Sequence, residues 1–158
     1  VRLSEVRPYA PLPLSLYREG VRVRLTGYRV HPDLARYKTG NYLPYRLALE
    51  EARKEGAFEG LLLDAFGHVV DGSRTSPLLF RDGTLYLLEG GLEVITREMV
   101  AEAARGLGLR VERGLFRPEG LRGHLLLAGS GVGLLPVGPP PAELLPLIER
   151  FLPACYTE

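Results

Sequence analysis

The hydrophobic period of this chain changes at Gly56, from a helical spacing to a strand-like one. Apolar residues before it recur at positions 43, 47, 48 and 52, which predicts a helix over about residues 41–55 with Asn41 as its N-cap. After it, residues 58–63 form an apolar run of the length typical of a buried strand. The chain therefore has to pack helices against a sheet, which indicates an α/β fold.

Short strands and tight turns fill much of the remaining sequence. The Asp82-Gly83 pair predicts a hairpin between strands at 76–80 and 84–88. A second helix is expected to begin with Thr96 as its cap and to end near Gly106. Further elements are expected as strands at 21–26, 68–71, 110–113, 124–127 and 134–137, a helical turn at 117–121 and a last helix at about 142–152. Together they predict a mixed sheet with flanking helices.

The composition excludes several classes of protein. The 158 residues suit one ordinary domain, and 20 basic against 19 acidic residues give a net charge of +1. Nucleic-acid and membrane-surface proteins need a field of one sign, so neither partner is expected, and no apolar run reaches the length of a membrane span. A single cysteine, Cys155, excludes an internal disulfide and favours the reducing cytoplasm. The histidines lack metal-ligand spacing, so no metal site is expected.

Lys38 is the first candidate for chemistry, because the chain uses arginine almost everywhere else. It contains 18 arginines and only two lysines, Lys38 and Lys54. Lys54 lies in a charged stretch typical of a solvated helix face. Arginine stays protonated in proteins, whereas a desolvated lysine can lose its proton and attack a carbonyl. Lys38 is therefore a candidate nucleophile or base, and a surface lysine that extends its charge into water is the alternative.

Three other features have the chemistry of an anion or cofactor site. Thr96 places a hydroxyl at the start of a helix, where unpaired N–H groups attract anions. Gly129-Ser130-Gly131 adds a second hydroxyl in a loop whose backbone can approach a ligand closely. Asp71 directly follows the strand residues Val69 and Val70. Each also has an ordinary explanation, as a helix cap, a glycine turn and a turn aspartate.

Taken in order, these segments resemble the large domain of the fold-type IV pyridoxal-phosphate enzymes, the class IV aminotransferase family. The resemblance runs from about residue 16 to residue 137. It rests on four motifs, which are Lys38-Thr39-Gly40-Asn41-Tyr42-Leu43, Asp71-Gly72-Ser73 followed by Asp82-Gly83, Val94-Ile95-Thr96-Arg97, and Ala128-Gly129-Ser130 followed by Leu135-Pro136-Val137. It implies a mixed sheet or pseudo-barrel with flanking helices, pyridoxal 5′-phosphate as the cofactor, a small-molecule substrate and a homodimer.

The resemblance also implies roles for seven residues. Lys38 is the expected Schiff-base lysine and proton shuttle, and Asp71 the expected partner of the pyridine nitrogen. Leu92 is expected to pack on the ring, and Tyr42 to lie near the ring hydroxyl or else to be a core aromatic. The phosphate is expected to bind the residues Ile95, Thr96 and Ser130.

Some positions depart from the family pattern. Asp71 stands where the family usually has glutamate, so the carboxylate has to come from a nearer backbone or act through water. Val94 replaces the glycine of the phosphate turn, and a branched residue restricts that backbone. Residues 1–7 read as a strand and 8–14 as a proline-spaced linker. We therefore expect 1–15 to be the end of a missing small N-terminal domain with its linker, and 16–158 to be the cofactor-binding large domain.

Within the family, the sequence favours an aminodeoxychorismate lyase. The spacing from Lys38 to Tyr42 is one residue shorter than in typical branched-chain aminotransferases, and their Glu-Asn-Leu-Phe signature is absent. These two departures disfavour a branched-chain aminotransferase, but they do not separate the lyase from a D-amino-acid aminotransferase. The lyase would convert 4-amino-4-deoxychorismate to 4-aminobenzoate and pyruvate. An aminotransferase of D-amino acids or branched-chain amino acids is the alternative. A non-catalytic remnant that lacks the small domain is a third possibility.

Overall fold

The computed structural model describes residues 2–40 and 42–156. Within these ranges the chain forms four α-helices and eight β-strands, in the order α1 (Leu14–Glu19), β1 (Val23–Arg29), α2 (Leu43–Lys54), β2 (Glu59–Leu63), β3 (Val69–Gly72), β4 (Ser76–Arg81), β5 (Thr84–Leu88), α3 (Ile95–Gly106), β6 (Arg110–Gly114), β7 (His124–Gly129), β8 (Gly133–Pro136) and α4 (Leu145–Arg150). Short 3₁₀ turns occur at Pro118–Gly120, Ala142–Leu144 and Ala154–Tyr156. None of the helices in the described part is both long and apolar enough to cross a membrane.

The strands form two sheets that together close a barrel-like ring. One sheet has the order β1-β2-β3 and the other the order β6-β5-β4-β7-β8. Single bridges connect their edges, from Val21 to Val137 on one side and from Val69 to Phe116 on the other. The pairs β1/β2 and β5/β6 are parallel, and the other pairs are antiparallel. This mixed, ring-like sheet with helices outside it confirms the predicted pseudo-barrel fold class.

The helices cover the sheets with small residues. α2 packs on β1 and β2 and buries Ala48 and Ala52, while α3 packs on β5, β6 and β7 and buries Val100 and Ala104. Alanine side chains are small, so they let α2 lie close to the sheet. The buried stripe of α2 consists of Ala48 and Ala52 and is narrower than the sequence predicted. In α2, Leu43 was expected in the buried stripe but is 63% exposed. In α3, Met99 is exposed, as is Leu107 directly after the helix.

The Asp82-Gly83 hairpin is confirmed. Arg81 pairs with Thr84 in an antiparallel ladder, which leaves a two-residue turn between β4 and β5. Asp82 has φ +50° and Gly83 has φ +76°, the left-handed conformations that a type I′ turn requires. Asp82 is the only residue other than glycine with a positive φ among the described residues.

Some predicted boundaries are wrong, mainly near the ends of the chain. Residues 2–7 form no strand, and the helix α1 replaces the last part of the expected linker. The predicted final helix is divided into a 3₁₀ turn and the short helix α4, which has Pro146 in its first turn. The predicted cap Asn41 lies outside the described residues, and α2 begins at Leu43 with Tyr42 in the N-cap position.

Candidate functional site

A cavity of about 360 Å³ brings all seven candidate residues together. It lies where the loop before α2, the end of β3, the start of α3 and the turn between β7 and β8 meet. Its walls include the predicted residues Lys38, Tyr42, Asp71, Leu92, Ile95, Thr96 and Ser130. These residues span more than half of the chain, so only the tertiary fold can bring them together.

Lys38 reaches the cavity from an irregular loop. A turn at residues 32–36 follows β1, and Lys38 is exposed in the irregular segment after it. The start of the loop is held to β2, because the Val30 N–H donates to the carbonyl of Leu63 at 2.9 Å. Lys38 lines the cavity from this loop.

Asp71 is the buried carboxylate of the site, with 3% of its surface exposed. Its Oδ2 accepts hydrogen bonds from the Leu92 main-chain N–H at 2.9 Å and from the Tyr45 hydroxyl at 3.4 Å. Burial raises the pKa of Asp71 to about 7, and the Leu92 hydrogen bond and the charge of Arg97 offset only part of that rise. A cationic group in the cavity would therefore gain a carboxylate partner in a poorly solvated place.

Gly91 allows the segment before Leu92 to approach β3. A Cβ at residue 91 would lie 2.2 Å from the carbonyl oxygen of Val70 and 3.1 Å from Cγ of Asp71. No real side chain tolerates such contacts, so glycine is needed for the hydrogen bond from Leu92 to Asp71. This close approach gives the short aspartate a nearby main-chain partner where the family usually has glutamate.

The start of α3 forms the opposite end of the cavity. Val94, and not Thr96 as predicted, holds the N-cap position, and no side chain caps the helix. Ile95 and Thr96 are the first two helical residues, and N–H groups in a first turn have no partner within the helix. Val94 has φ −128° and ψ 139°, an extended conformation that a β-branched residue adopts readily. The loss of the family's glycine therefore does not strain this turn.

Ser130 completes that end of the cavity from the turn between β7 and β8. Residues 128–130 line the cavity together with Thr96. Two hydroxyls and a helix N-terminus are a donor set that suits a phosphate or another anion. The cavity thus combines a primary amine, a buried carboxylate and an anion-binding end. Among the described residues, no group of three or more His, Cys, Asp and Glu side chains is placed to hold a metal ion.

Two residues of the site were missed from the sequence. Tyr45 lines the cavity, packs edge-on against Tyr42 with ring centroids 5.9 Å apart, and donates to Asp71. Glu59 is fully buried in β2 behind the cavity wall. Its Oε1 accepts from the Gly60 N–H at 3.1 Å and from the Ser73 hydroxyl, and its Oε2 accepts from the Arg74 N–H at 3.0 Å and the Thr75 hydroxyl at 2.8 Å. Glu59 therefore holds the turn that follows Asp71.

Both omissions had a signal in the sequence. Tyr45 lies three residues after Tyr42, close to one helical turn, so the two rings share a face. Glu59 is an acidic residue inside an apolar strand, where a charged side chain is stable only with several partners. Three of its four partners lie 14 to 16 residues away, and the sequence alone does not identify them.

Comparison with known proteins identifies the relatives of this chain. A family model described as Amino-transferase class IV matches residues 4–138. A crystal structure provisionally described as a 4-amino-4-deoxychorismate lyase is 96% identical, with a TM-score of 0.95, and the match covers 99% of this chain and 64% of that one. A branched-chain amino acid aminotransferase solved with pyridoxamine 5′-phosphate is 30% identical with a TM-score of 0.82, over 90% of this chain and 52% of that one.

Curated relatives point to aminotransferases. The branched-chain-amino-acid aminotransferase of Pseudomonas aeruginosa is 34% identical over 109 residues, which are 65% of this chain and 36% of that protein. The corresponding enzyme of Escherichia coli K12 is 30% identical over 103 residues, 62% of this chain and 33% of that protein. The matched region thus spans about a third of the length of these curated relatives.

Proposed function

The chain belongs to the class IV aminotransferase family, and on that premise we propose that it forms the cofactor-binding part of a 4-amino-4-deoxychorismate lyase. Its cofactor is pyridoxal 5′-phosphate, the aldehyde counterpart of the pyridoxamine 5′-phosphate in the related aminotransferase structure. The observation that carries the proposal is that Lys38, Asp71, Thr96 and Ser130 line one cavity. We assign residues 16–158 to the cofactor-binding large domain, and residues 1–15 to the end of a small N-terminal domain together with the linker.

The residues present fit this cofactor group by group. The amine of Lys38 suits its aldehyde, and the carboxylate of Asp71 suits its pyridine nitrogen. The start of α3 and the hydroxyls of Thr96 and Ser130 suit its phosphate. Leu92 and Tyr42 also line the cavity, where an apolar side chain can pack on a ring and a phenol can meet a ring hydroxyl.

Lys38 is the proposed catalytic residue. When bound, pyridoxal phosphate supplies an electron sink for the carbon that carries the substrate's amino group. Lys38 would hold the cofactor through its amine and, once free of it, would act as a base toward the substrate. It then removes the proton from the ring carbon that bears the substrate's amino group. The neighbouring carbon–oxygen bond breaks, the enolpyruvyl group leaves, and the proton held by Lys38 completes pyruvate while the ring becomes aromatic.

Asp71 is proposed to keep the pyridine nitrogen protonated. A carboxylate in a poorly solvated place favours a cationic partner strongly, because little water competes for either charge. The two donors on Oδ2, from Leu92 and Tyr45, fix the direction of the carboxylate. Asp71 therefore acts through orientation and charge, without itself transferring a proton to the substrate.

The lyase assignment is supported by the 96% identity to the structure provisionally described as that enzyme. The short spacing between Lys38 and Tyr42 disfavours a branched-chain aminotransferase but does not separate the lyase from an aminotransferase of D-amino acids. Aminotransfer is the second candidate, because the curated relatives are branched-chain aminotransferases. The same lysine and carboxylate serve both reactions, so the substrate pocket decides between them. A cytoplasmic homodimer is part of the proposal, and light scattering on the purified protein tests its size.

The cofactor assignment is tested by absorption spectroscopy. Pyridoxal phosphate added to the purified wild type should give a visible band that persists after gel filtration. Lys38→Ala should abolish the band, and Lys54→Ala, the only other lysine substitution possible in this chain, should retain it. A wild type that gives no band would contradict the cofactor proposal and favour a non-catalytic remnant.

The reaction is tested by supplying 4-amino-4-deoxychorismate without any 2-oxo acid. A lyase releases pyruvate and 4-aminobenzoate in equal amounts under these conditions, because the substrate contains every atom of both products. Turnover of an amino acid that requires a 2-oxo acid, together with no release of 4-aminobenzoate, would replace the lyase with an aminotransferase.

A further inference from the structure

The turn between β7 and β8 is held from outside by two tyrosines. The hydroxyl of Tyr17 donates to the carbonyl of Val132 at 2.6 Å, and the hydroxyl of Tyr9 donates to the carbonyl of Gly131 at 2.6 Å. Both tyrosines come from the segment before β1, more than 110 residues earlier in the chain. Neither contact was predicted from the sequence.

This turn separates two cavities. Ser130 lines the candidate cofactor cavity and also a second cavity of about 470 Å³ on the other side of the turn. The second cavity is lined by Tyr9, Pro11, Val132 and residues 151–155. The carbonyls held by the tyrosines directly follow Ser130, so their position determines where Ser130 and its main-chain N–H lie.

Within the turn, the Val132 N–H donates to the carbonyl of Gly129 at 3.3 Å, and Gly129 pairs with Gly133 where β7 and β8 meet. Gly129, Gly131 and Gly133 give the turn wide conformational freedom, and Gly131 has open space where a Cβ would be. The far end is fixed differently, since Gly133 lies so close to the carbonyl of Phe151 that a Cβ would come within 2.0 Å of it. The hydrogen bond from the Tyr17 hydroxyl to the carbonyl of Val132 connects the glycine-rich turn to the core.

Tyr17 is built to keep this contact. Its side chain is 2% exposed, so water does not compete for the hydrogen bond. Burial raises the pKa of the Tyr17 hydroxyl to about 12, so it keeps its proton and remains a donor throughout the physiological range. Tyr9 is 66% exposed, so water competes for its hydrogen bond although the bond has the same length.

We propose that Tyr17, assisted by Tyr9, is a positioning residue for the phosphate of the cofactor, because it fixes the main chain that follows Ser130. This inference rests on the proposed function. It concerns only the phosphate end of the cavity, since Lys38 and Asp71 lie on other segments.

The test compares two ligands that differ in the phosphate. Dissociation constants are measured for pyridoxal 5′-phosphate and for pyridoxal, from the Lys38-dependent absorption band, in wild type and Tyr17→Phe. Loss of one hydrogen bond in a buried place should weaken pyridoxal phosphate about fivefold. The affinity for pyridoxal should not change, because its contacts with Lys38 and Asp71 are retained.

Tyr156→Phe is the matched control. Its hydroxyl also donates to a main-chain carbonyl, that of Leu12 at 2.7 Å, but it does not touch the turn. This variant should bind both ligands as the wild type does. If Tyr17→Phe loses affinity equally for both ligands, the residue has only a structural role. If it loses no affinity for pyridoxal phosphate, the contact does not matter for binding. Either result overturns the proposal.

A second variant covers the case in which Tyr17→Phe does not fold. Tyr9→Phe removes the contact with Gly131 from an exposed position and leaves the core intact. It should weaken pyridoxal phosphate by about twofold, again without an effect on pyridoxal. Unchanged binding by this variant would then overturn the inference. If the wild type gives no Lys38-dependent band, the proposed function fails together with the inference. If the wild type gives the band but the tyrosine variants bind pyridoxal phosphate normally, only the inference fails.

Discussion

The main-chain N–H of Leu92 donates a 2.9 Å hydrogen bond to Oδ2 of Asp71. Leu92 is expected to pack on the cofactor ring and Asp71 to face the ring nitrogen, so one contact joins two parts of the proposed site. It couples the position of the segment before α3 to the direction of the buried carboxylate.

Replacing Asp71 with asparagine should preserve the shape of the site and remove its charge. Asp71→Asn should still bind pyridoxal phosphate through Lys38, but kcat/KM should fall by a factor on the order of 10², because the pyridine nitrogen loses its anionic partner. Steady-state kinetics and the absorption band measure the two effects separately. Asp71→Glu restores the family's usual carboxylate and should recover part of the activity; equal losses in both variants would contradict a role of the charge.

The stability of the cofactor-free protein should depend on the ionisation of Asp71. Its pKa is about 7 in the folded protein and 3.8 ordinarily, so between these values the folded state binds more protons than the unfolded state. Stability due to this group is therefore present at low pH and is lost as pH rises from about 4 to about 7, by up to about 4 kcal/mol. Urea unfolding at several pH values measures the loss.

The asparagine variant serves as the control for this pH dependence. Asp71→Asn removes the ionisation and keeps the other titrating groups, so the difference in unfolding free energy between the two proteins isolates Asp71. The variant should gain on the wild type as pH rises. A difference that does not change between about pH 4 and about pH 8 would contradict the raised pKa.

Glu59→Gln should be strongly destabilising although the side chain never reaches the cavity. The carboxylate accepts four hydrogen bonds, two on each oxygen. In glutamine an NH₂ group replaces one of these oxygens, and it cannot accept the two hydrogen bonds donated there. Leaving buried donors without partners should cost about 2 to 4 kcal/mol in unfolding free energy. The control is Glu51→Gln, which removes a half-exposed ion pair with Arg24 and should cost less than about 1 kcal/mol. Equal costs would show that Glu59 does not organise the turn.

Gly91→Ala tests the close approach that supports Asp71. The added Cβ cannot remain 2.2 Å from the Val70 carbonyl, so the segment has to move away from β3 and the Leu92 hydrogen bond should break. We expect a loss of about 2 kcal/mol in unfolding free energy and weaker cofactor binding. Gly106→Ala at the end of α3 meets no atom within 4 Å and should be neutral or slightly stabilising. Similar stability of the two variants would argue against the close approach.

Local chemistry determined a large part of the fold. The Asp82-Gly83 turn, the strands around it and the helices α2 and α3 follow from turn residues and from hydrophobic period, because those signals act between residues close in sequence. The candidates Lys38, Asp71, Thr96 and Ser130 were also available from the sequence, through their residue types and through the order of four motifs. The resemblance to the family is confirmed by the family model.

Only the tertiary structure decided how these pieces meet. Bridges at Val21 and Val69 close the two sheets into one ring, and each depends on a partner that is distant in the chain. Burial raises the pKa of Asp71, and burial also makes the hydrogen bonds of Glu59 necessary. No local pattern of residues specifies either environment. Likewise, the sequence identified Ser130 as a candidate ligand, but the tyrosines that hold its turn come from the other end of the chain. Residue type thus determined which groups are available for chemistry, and long-range packing decided their surroundings.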